Sequence, residues 1–326
     1  MLEHGGNLRD AAHHYGRDDW VDLSTGINPH GYAAPAPSSA AWHRLPEPDP
    51  EFLAAARAYY GAPRLLPVAG TQAAIQALPR LRPPSRVAVS APSYAEHAYH
   101  WNLHGHTQRL VPYPELETAV DASDVVVVVN PNNPTGETIE PERLLDWAAR
   151  LHARGGWLVV DEAFGDTAPE LSVTRYAAQP GLIVLRSIGK FFGLAGLRLG
   201  FVAAHERVLA DLADLLGPWA VSGPAQEIAL QALADTGWQQ DAQERLAQAG
   251  GRMVQLLQEH GIASTGTPLF RWWPEARPEA FHEHMAARGI WCRLFRDAAR
   301  GIRVGLPATE GDWRRFEQAL HEWNKQ

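Results

Sequence analysis

Lysine is rare in this chain. Among 29 lysines and arginines, only Lys190 and Lys325 are lysines, and only Lys190 lies far from a terminus. It sits in Ser187-Ile188-Gly189-Lys190-Phe191-Phe192-Gly193-Leu194, among apolar neighbours. Desolvation lowers the pKa of an ammonium, and the neutral amine can then attack a carbonyl to form a Schiff base. A solvated surface cation is the ordinary reading of a single lysine; the residues around this one argue for chemistry. Asp161 ends the run Trp157–Val160. A carboxylate there could hold a protonated ring nitrogen and keep that ring electron-poor, although an isolated Asp serves equally as a helix cap or a metal ligand. Gly70-Thr71-Gln72 opens a helical pattern, and the free N–H groups at such a start can cradle a phosphate. Tyr94 could stack on a flat ring or simply pack.

Strands must position these groups. Val87–Val89, Asp124–Asn130, Trp157–Val160, Leu182–Ser187 and Leu197–Ala203 read as strands, with a helix around Pro141–Arg154 between two of them. The β-branched run 124–130 suits a strand buried on both faces of a parallel sheet. Alternating strands and helices predict an α/β fold with a mainly parallel sheet. Ligands of such sheets bind beyond the carboxyl ends of the strands. Asn133, Asp161, and Ser187 with Lys190 fall at such ends, and Arg198 just beyond. Ala33–Pro50, rich in Pro, Ala and Ser, reads as an extended, irregular segment. From His205 to about Glu259 helical patterns dominate; residues 262–326 read strand, helix, strand, strand, helix, a smaller α+β lobe. The expected division is an N-terminal arm contacting substrate (1–45), a large cofactor-binding domain (46–220) and a small C-terminal domain (221–326).

Composition narrows the function classes. The net charge of −8 argues against nucleic acid or an anionic membrane as partner, while leaving room for a local basic pocket. The single cysteine, Cys292, rules out an intrachain disulfide; together with the absence of a signal-peptide pattern this predicts a cytoplasmic protein. No metal site is read from the sequence.

Three strings now take on a family likeness. Asn130-Pro131-Asn132-Asn133-Pro134-Thr135-Gly136 resembles the NPxNPTG turn of class I/II aminotransferases. Ser187–Phe201 resembles that family's Schiff-base lysine segment, and Val159–Phe164 its aspartate strand; the three occur in the family's order. The resemblance implies the aspartate-aminotransferase-like fold (fold type I), with a mainly parallel seven-stranded large domain and a smaller α+β domain. It also implies pyridoxal 5′-phosphate (PLP) as cofactor and a homodimer. Lys190 would carry PLP and shuttle protons, Asp161 would pair with the pyridine nitrogen, Asn133 would meet the ring's phenolic oxygen, and Tyr94 would stack. Gly70, Thr71, Gln72, Ser187 and Arg198 would hold the phosphate, and Arg303 would grip the substrate carboxylate. Phe164 and Leu45 depart from the pattern, since many relatives have tyrosine at each place. The first change removes a donor to the phenolic oxygen, and the second puts a cross-subunit phosphate contact in doubt.

The reaction is read at the other end of the chain. His4-Gly5-Gly6-Asn7, with Asp22-Leu23-Ser24-Thr25-Gly26-Ile27-Asn28-Pro29, resembles the threonine-phosphate decarboxylases of cobalamin biosynthesis. That resemblance implies loss of CO2 from L-threonine O-3-phosphate to give (R)-1-amino-2-propanol O-phosphate. His4, Asn28 and Arg293 would meet the small substrate's phosphate, and Gly26 would also bind substrate. A leader peptide is the ordinary reading of a terminal His-Gly-Gly. Two alternatives stay open: a histidinol-phosphate-type aminotransferase and a non-catalytic PLP-binding protein.

Overall fold

Five consecutive valines, Val125–Val129, are all buried, and they form the middle of the larger of two sheets. The computed structural model describes residues 4–325. Its strands are β1 (Val21–Leu23), β2 (Leu66–Val68), β3 (Arg86–Ala91), β4 (Thr107–Pro112), β5 (Val125–Val129), β6 (Trp157–Asp161), β7 (Leu182–Ser187), β8 (Gly200–Ala204), β9 (Thr265–Thr267), β10 (Phe270–Trp273), β11 (Ile290–Phe295) and β12 (Gly301–Gly305).

The seven-stranded sheet has the order β2-β8-β7-β6-β5-β3-β4. Neighbours from β4 to β7 are parallel, and β8 alone runs against them. Side chains alternate between the faces. Val87, Val125, Val127, Val159 and Ile183 pack in one cluster; Ala88, Val126, Val128, Leu158 and Val160 pack in the other. Helices on both faces cover the sheet, which explains why its strands are apolar throughout rather than alternating. The fold class expected from the sequence is the fold observed.

The direction of β8 matters for the site. Ser187 at the end of β7 pairs with Gly200 at the start of β8, and Gly200 pairs in turn with Val68 at the end of β2. Segments following β2, β3, β5, β6 and β7, and the one preceding β8, therefore meet along one edge.

The smaller sheet has the order β1-β11-β12-β10-β9. Its strand β1 pairs in parallel with β11, so residues near the N-terminus complete a sheet made otherwise from the last quarter of the chain. Only long-range pairing produces this, and periodicity carries no trace of it. Three local readings change. A short helix, Ser39–His43, interrupts the segment 33–50, because the Ser38 side chain caps it by accepting the Ala41 N–H. The strand expected from Leu197 begins at Gly200, because Ala195–Leu197 is a tight turn ending on Arg198 at φ 51°. The C-terminal lobe starts with two strands, β9 and β10, joined as a hairpin. Among the described residues no helix is long and apolar enough to cross a membrane.

Candidate active site

The shared strand edge opens into two adjoining cavities of about 620 and 400 Å³ that have Lys190, Tyr94, Asn133, Phe164 and His4 in common. Lys190 is half-buried, and desolvation, with the nearby Arg303, lowers its pKa to about 8, while Asp161 opposes the shift. Its Nζ lies 5.6 Å from the centre of the Phe164 ring. Phe164 is itself buried and packs edge-on against Phe270, with centroids 4.9 Å apart. The missing tyrosine hydroxyl is thus replaced by an apolar wall that helps keep the amine desolvated.

Asp161 closes β6, where Oδ1 accepts the Ala163 N–H at 3.0 Å and Oδ2 lies 2.8 Å from His97 Nε2. Asp161 and His97 are both buried. His97 was not read from the sequence; its only signal is its place one helical turn after Tyr94.

The smaller cavity brings together Gly70, Thr71, Gln72, Ser187 and Arg198. Gly70 has φ 72° and ψ 158°, a conformation open to glycine, and an added Cβ would lie 2.6 Å from Arg198 Nη2. Arg198 is held by Nη1 donating to the Ala195 carbonyl at 3.0 Å. Thr71 opens the following helix, and the Ser187 hydroxyl accepts the Gly189 N–H at 3.3 Å. Backbone N–H groups at a helix start, a serine hydroxyl and a guanidinium are a donor set suited to a phosphate.

The larger cavity is cationic. Arg293 and Arg303 are direct partners across β11 and β12, so both point to the same face. Burial, then the neighbouring Arg293, lowers the Arg303 pKa to about 9. Arg303 Nη2 donates to the Ser24 carbonyl at 2.7 Å and Nη1 donates to Asn133 Oδ1, while Nε meets no partner among the described residues. Gly26 lines this cavity, and a Cβ there would lie 2.9 Å from Phe164 Cε1. Like charges placed opposite each other are destabilising, so this pair fits an anionic ligand.

Two candidates sit differently from expectation. The Asn28 side chain is buried, donating to the Phe191 carbonyl at 2.8 Å and accepting from the His30 N–H at 2.9 Å. It lines neither cavity; it ties the N-terminal segment to the lysine loop, whose Lys190 carbonyl accepts the Asn28 N–H at 3.0 Å. His4 reaches the site but pairs through Nε2 with Glu96 at 2.8 Å. Leu45 is exposed.

The Aminotransferase class I and II family model matches residues 18–308. The chain belongs to this family. It is 51% identical to the threonine-phosphate decarboxylase of Pseudomonas aeruginosa, covering 98% of this chain and 97% of that one. It is 46% identical to one from Sinorhizobium sp over the same shares of the two chains. Among solved structures, the histidinol-phosphate aminotransferase of Sinorhizobium meliloti in complex with pyridoxal-5′-phosphate superposes with a TM-score of 0.84 at 23% identity, covering 100% of this chain and 96% of that one. That likeness speaks to the fold.

The family's cofactor is PLP, and the residues present fit it. The amine of lowered pKa lines one cavity with the buried Asp161 carboxylate, and with Gly70 and the neighbouring Arg198 guanidinium.

Proposed function

We propose that this protein decarboxylates L-threonine O-3-phosphate to (R)-1-amino-2-propanol O-phosphate and CO2, in cobalamin biosynthesis. The observation that carries the substrate class is the opposed pair Arg293 and Arg303 in one cavity with Lys190. A ligand with two anionic groups answers it. The two near-full-length relatives support the reaction.

Bound PLP supplies an electron sink for the pair of electrons left at the substrate Cα when CO2 departs. The chain's residues prepare that step. Asp161, held by His97 and the Ala163 N–H, keeps a proton on the pyridine nitrogen. Gly70, Thr71, Gln72, Ser187 and Arg198 would hold the cofactor phosphate, Tyr94 would stack on the ring, and Asn133 would meet its phenolic oxygen. Arg303 exchanges its bond to Asn133 for the substrate carboxylate, which its fork can meet with two hydrogen bonds. Arg293 and His4 meet the substrate phosphate. Because His4 Nε2 already faces Glu96, Nδ1 is the ring nitrogen left to meet a phosphate oxygen. Phe164 and Phe270 exclude water around Lys190; in its ammonium form Lys190 would give a proton to Cα and be left as the neutral amine.

The domain division 1–45, 46–220 and 221–326 belongs to the same reading. The seven-stranded sheet falls within the second segment and four strands of the smaller sheet within the third. Exposed Trp42, Leu45, Tyr99, Leu103 and Trp219 support a homodimer. A cytoplasmic location completes the proposal.

Supplying threonine phosphate to the PLP-loaded protein without a 2-oxoacid should release CO2. Amino transfer to 2-oxoglutarate with no CO2 would support the histidinol-phosphate-type aminotransferase instead.

A further inference from the structure

Glu96 lies in the first turn of the helix Ala95–Leu103, and nothing in the reaction above uses it. Its carboxylate is nonetheless fully engaged. One oxygen meets His4 Nε2 at 2.8 Å; the other accepts Gln72 Nε2 at 2.7 Å and lies 3.1 Å from His100 Nε2. Burial works against its ionisation, yet the hydrogen bonds from Gln72 and His4 prevail and hold the carboxyl below its usual range. The contact with Gln72 also orients that amide. With Nε2 given to Glu96, Gln72 turns Oε1 to accept the Tyr94 hydroxyl at 3.3 Å. The carboxylate therefore joins the N-terminal residue that borders both cavities to the phosphate cradle and the ring-stacking tyrosine.

The N-terminal segment has few other ties here. The Gly6 N–H donates to Ser24 Oγ at 2.7 Å, and Gly5 lies so close to Ser24 that a Cβ would sit 2.3 Å from its carbonyl oxygen. These contacts place the backbone but leave the imidazole of His4, which is 46% exposed, with Glu96 as its one polar partner among the described residues. We infer that Glu96 is a positioning residue for substrate recognition: it holds His4 over the cavity mouth and, through Gln72, sets Tyr94 beneath it. The inference rests on His4 being a substrate contact, as proposed above.

A double-mutant cycle on the PLP-loaded full chain tests it. A hydrogen bond to a charged group corresponds to roughly 10- to 100-fold. His4→Ala and Glu96→Ala should each lower kcat/KM for threonine phosphate by about that factor, chiefly through KM, and the double variant should lose no more than the worse single one. Glu96→Gln keeps the volume and one acceptor, and should fall between wild type and Glu96→Ala. Amide hydrogen exchange of residues 4–9, read without substrate, should quicken equally in both single variants and no further in the double. Losses that multiply, or exchange that stays at the wild-type rate, would overturn the inference. If the wild type releases no CO2, the decarboxylase reading fails, and the exchange measurement still decides the role of Glu96.

Discussion

At the scale of residues, the site is built on suppressing charge where an amine must act. Lys190 has Phe164 on its apolar side and Arg303 on its charged side, and desolvation and the like charge both favour the neutral amine. A group with pKa near 8 is mostly protonated at pH 7, and its neutral fraction rises about tenfold per pH unit until it saturates above 8. Capture of PLP by the apoprotein, followed by its visible absorbance, should therefore speed up with pH and level off above about 8. Lys190→Ala should show no covalent capture at any pH and should lose nearly all turnover; turnover at the parent rate would remove Lys190 from the mechanism. Lys190 was legible in the sequence because it is chemically odd in its chain. His97 and Glu96 were not, because a histidine and a glutamate on a helix are ordinary until the fold shows what they face.

At the scale of elements, a buried ion network anchors the segment that follows Asp161. Arg186 on β7 pairs with Glu162 at 2.5 Å and Asp166 at 2.7 Å, and all three are buried. Glu162 also accepts from the Ser172 and Thr174 hydroxyls and the Val173 N–H, while the Arg186 guanidinium lies 4.6 Å from the centre of the Tyr60 ring. The network ties residues 162–174, Phe164 among them, to the neighbouring strand. Arg186→Leu would leave two buried carboxylates without their cation, a change that costs about 3–5 kcal/mol. Calorimetry should show a Tm lower by about 5 °C; an unchanged Tm would mean the network contributes little. None of these residues was marked by sequence reasoning, since an arginine inside an apolar strand gains meaning only from the acids across from it.

At the scale of the whole molecule, the site lies where two sheets meet. Asn133 follows β5 of the large sheet and Arg303 belongs to the small one, yet they hydrogen-bond directly. Nearby, the two backbones touch: a Cβ on Gly136, at φ 76°, would lie 2.4 Å from Gly266 Cα. The exposed apolar residues Trp42, Leu45 and Trp219 on one chain lead to the expectation of a dimer in solution. Light scattering should give twice the 35.8 kDa chain mass; a monomer at working concentration would remove that proposal.

The amino-acid sequence alone determined the α/β class and singled out Lys190, Asp161, the asparagine turn and Gly70 as candidates for the site. Each lies at the end of a strand, so local patterning and chain order suffice to find it. The tertiary structure decided which residues share a cavity. Only the antiparallel pairing of β8 brings Arg198 against Gly70, and only the pairing of β11 with β12 sets Arg293 beside Arg303. It also set Asn28 outside both cavities, its amide donating to the Phe191 carbonyl and accepting the His30 N–H. The cause is the same in each case: contacts between residues distant along the chain are set by strand pairing and burial, and a one-dimensional pattern does not record them.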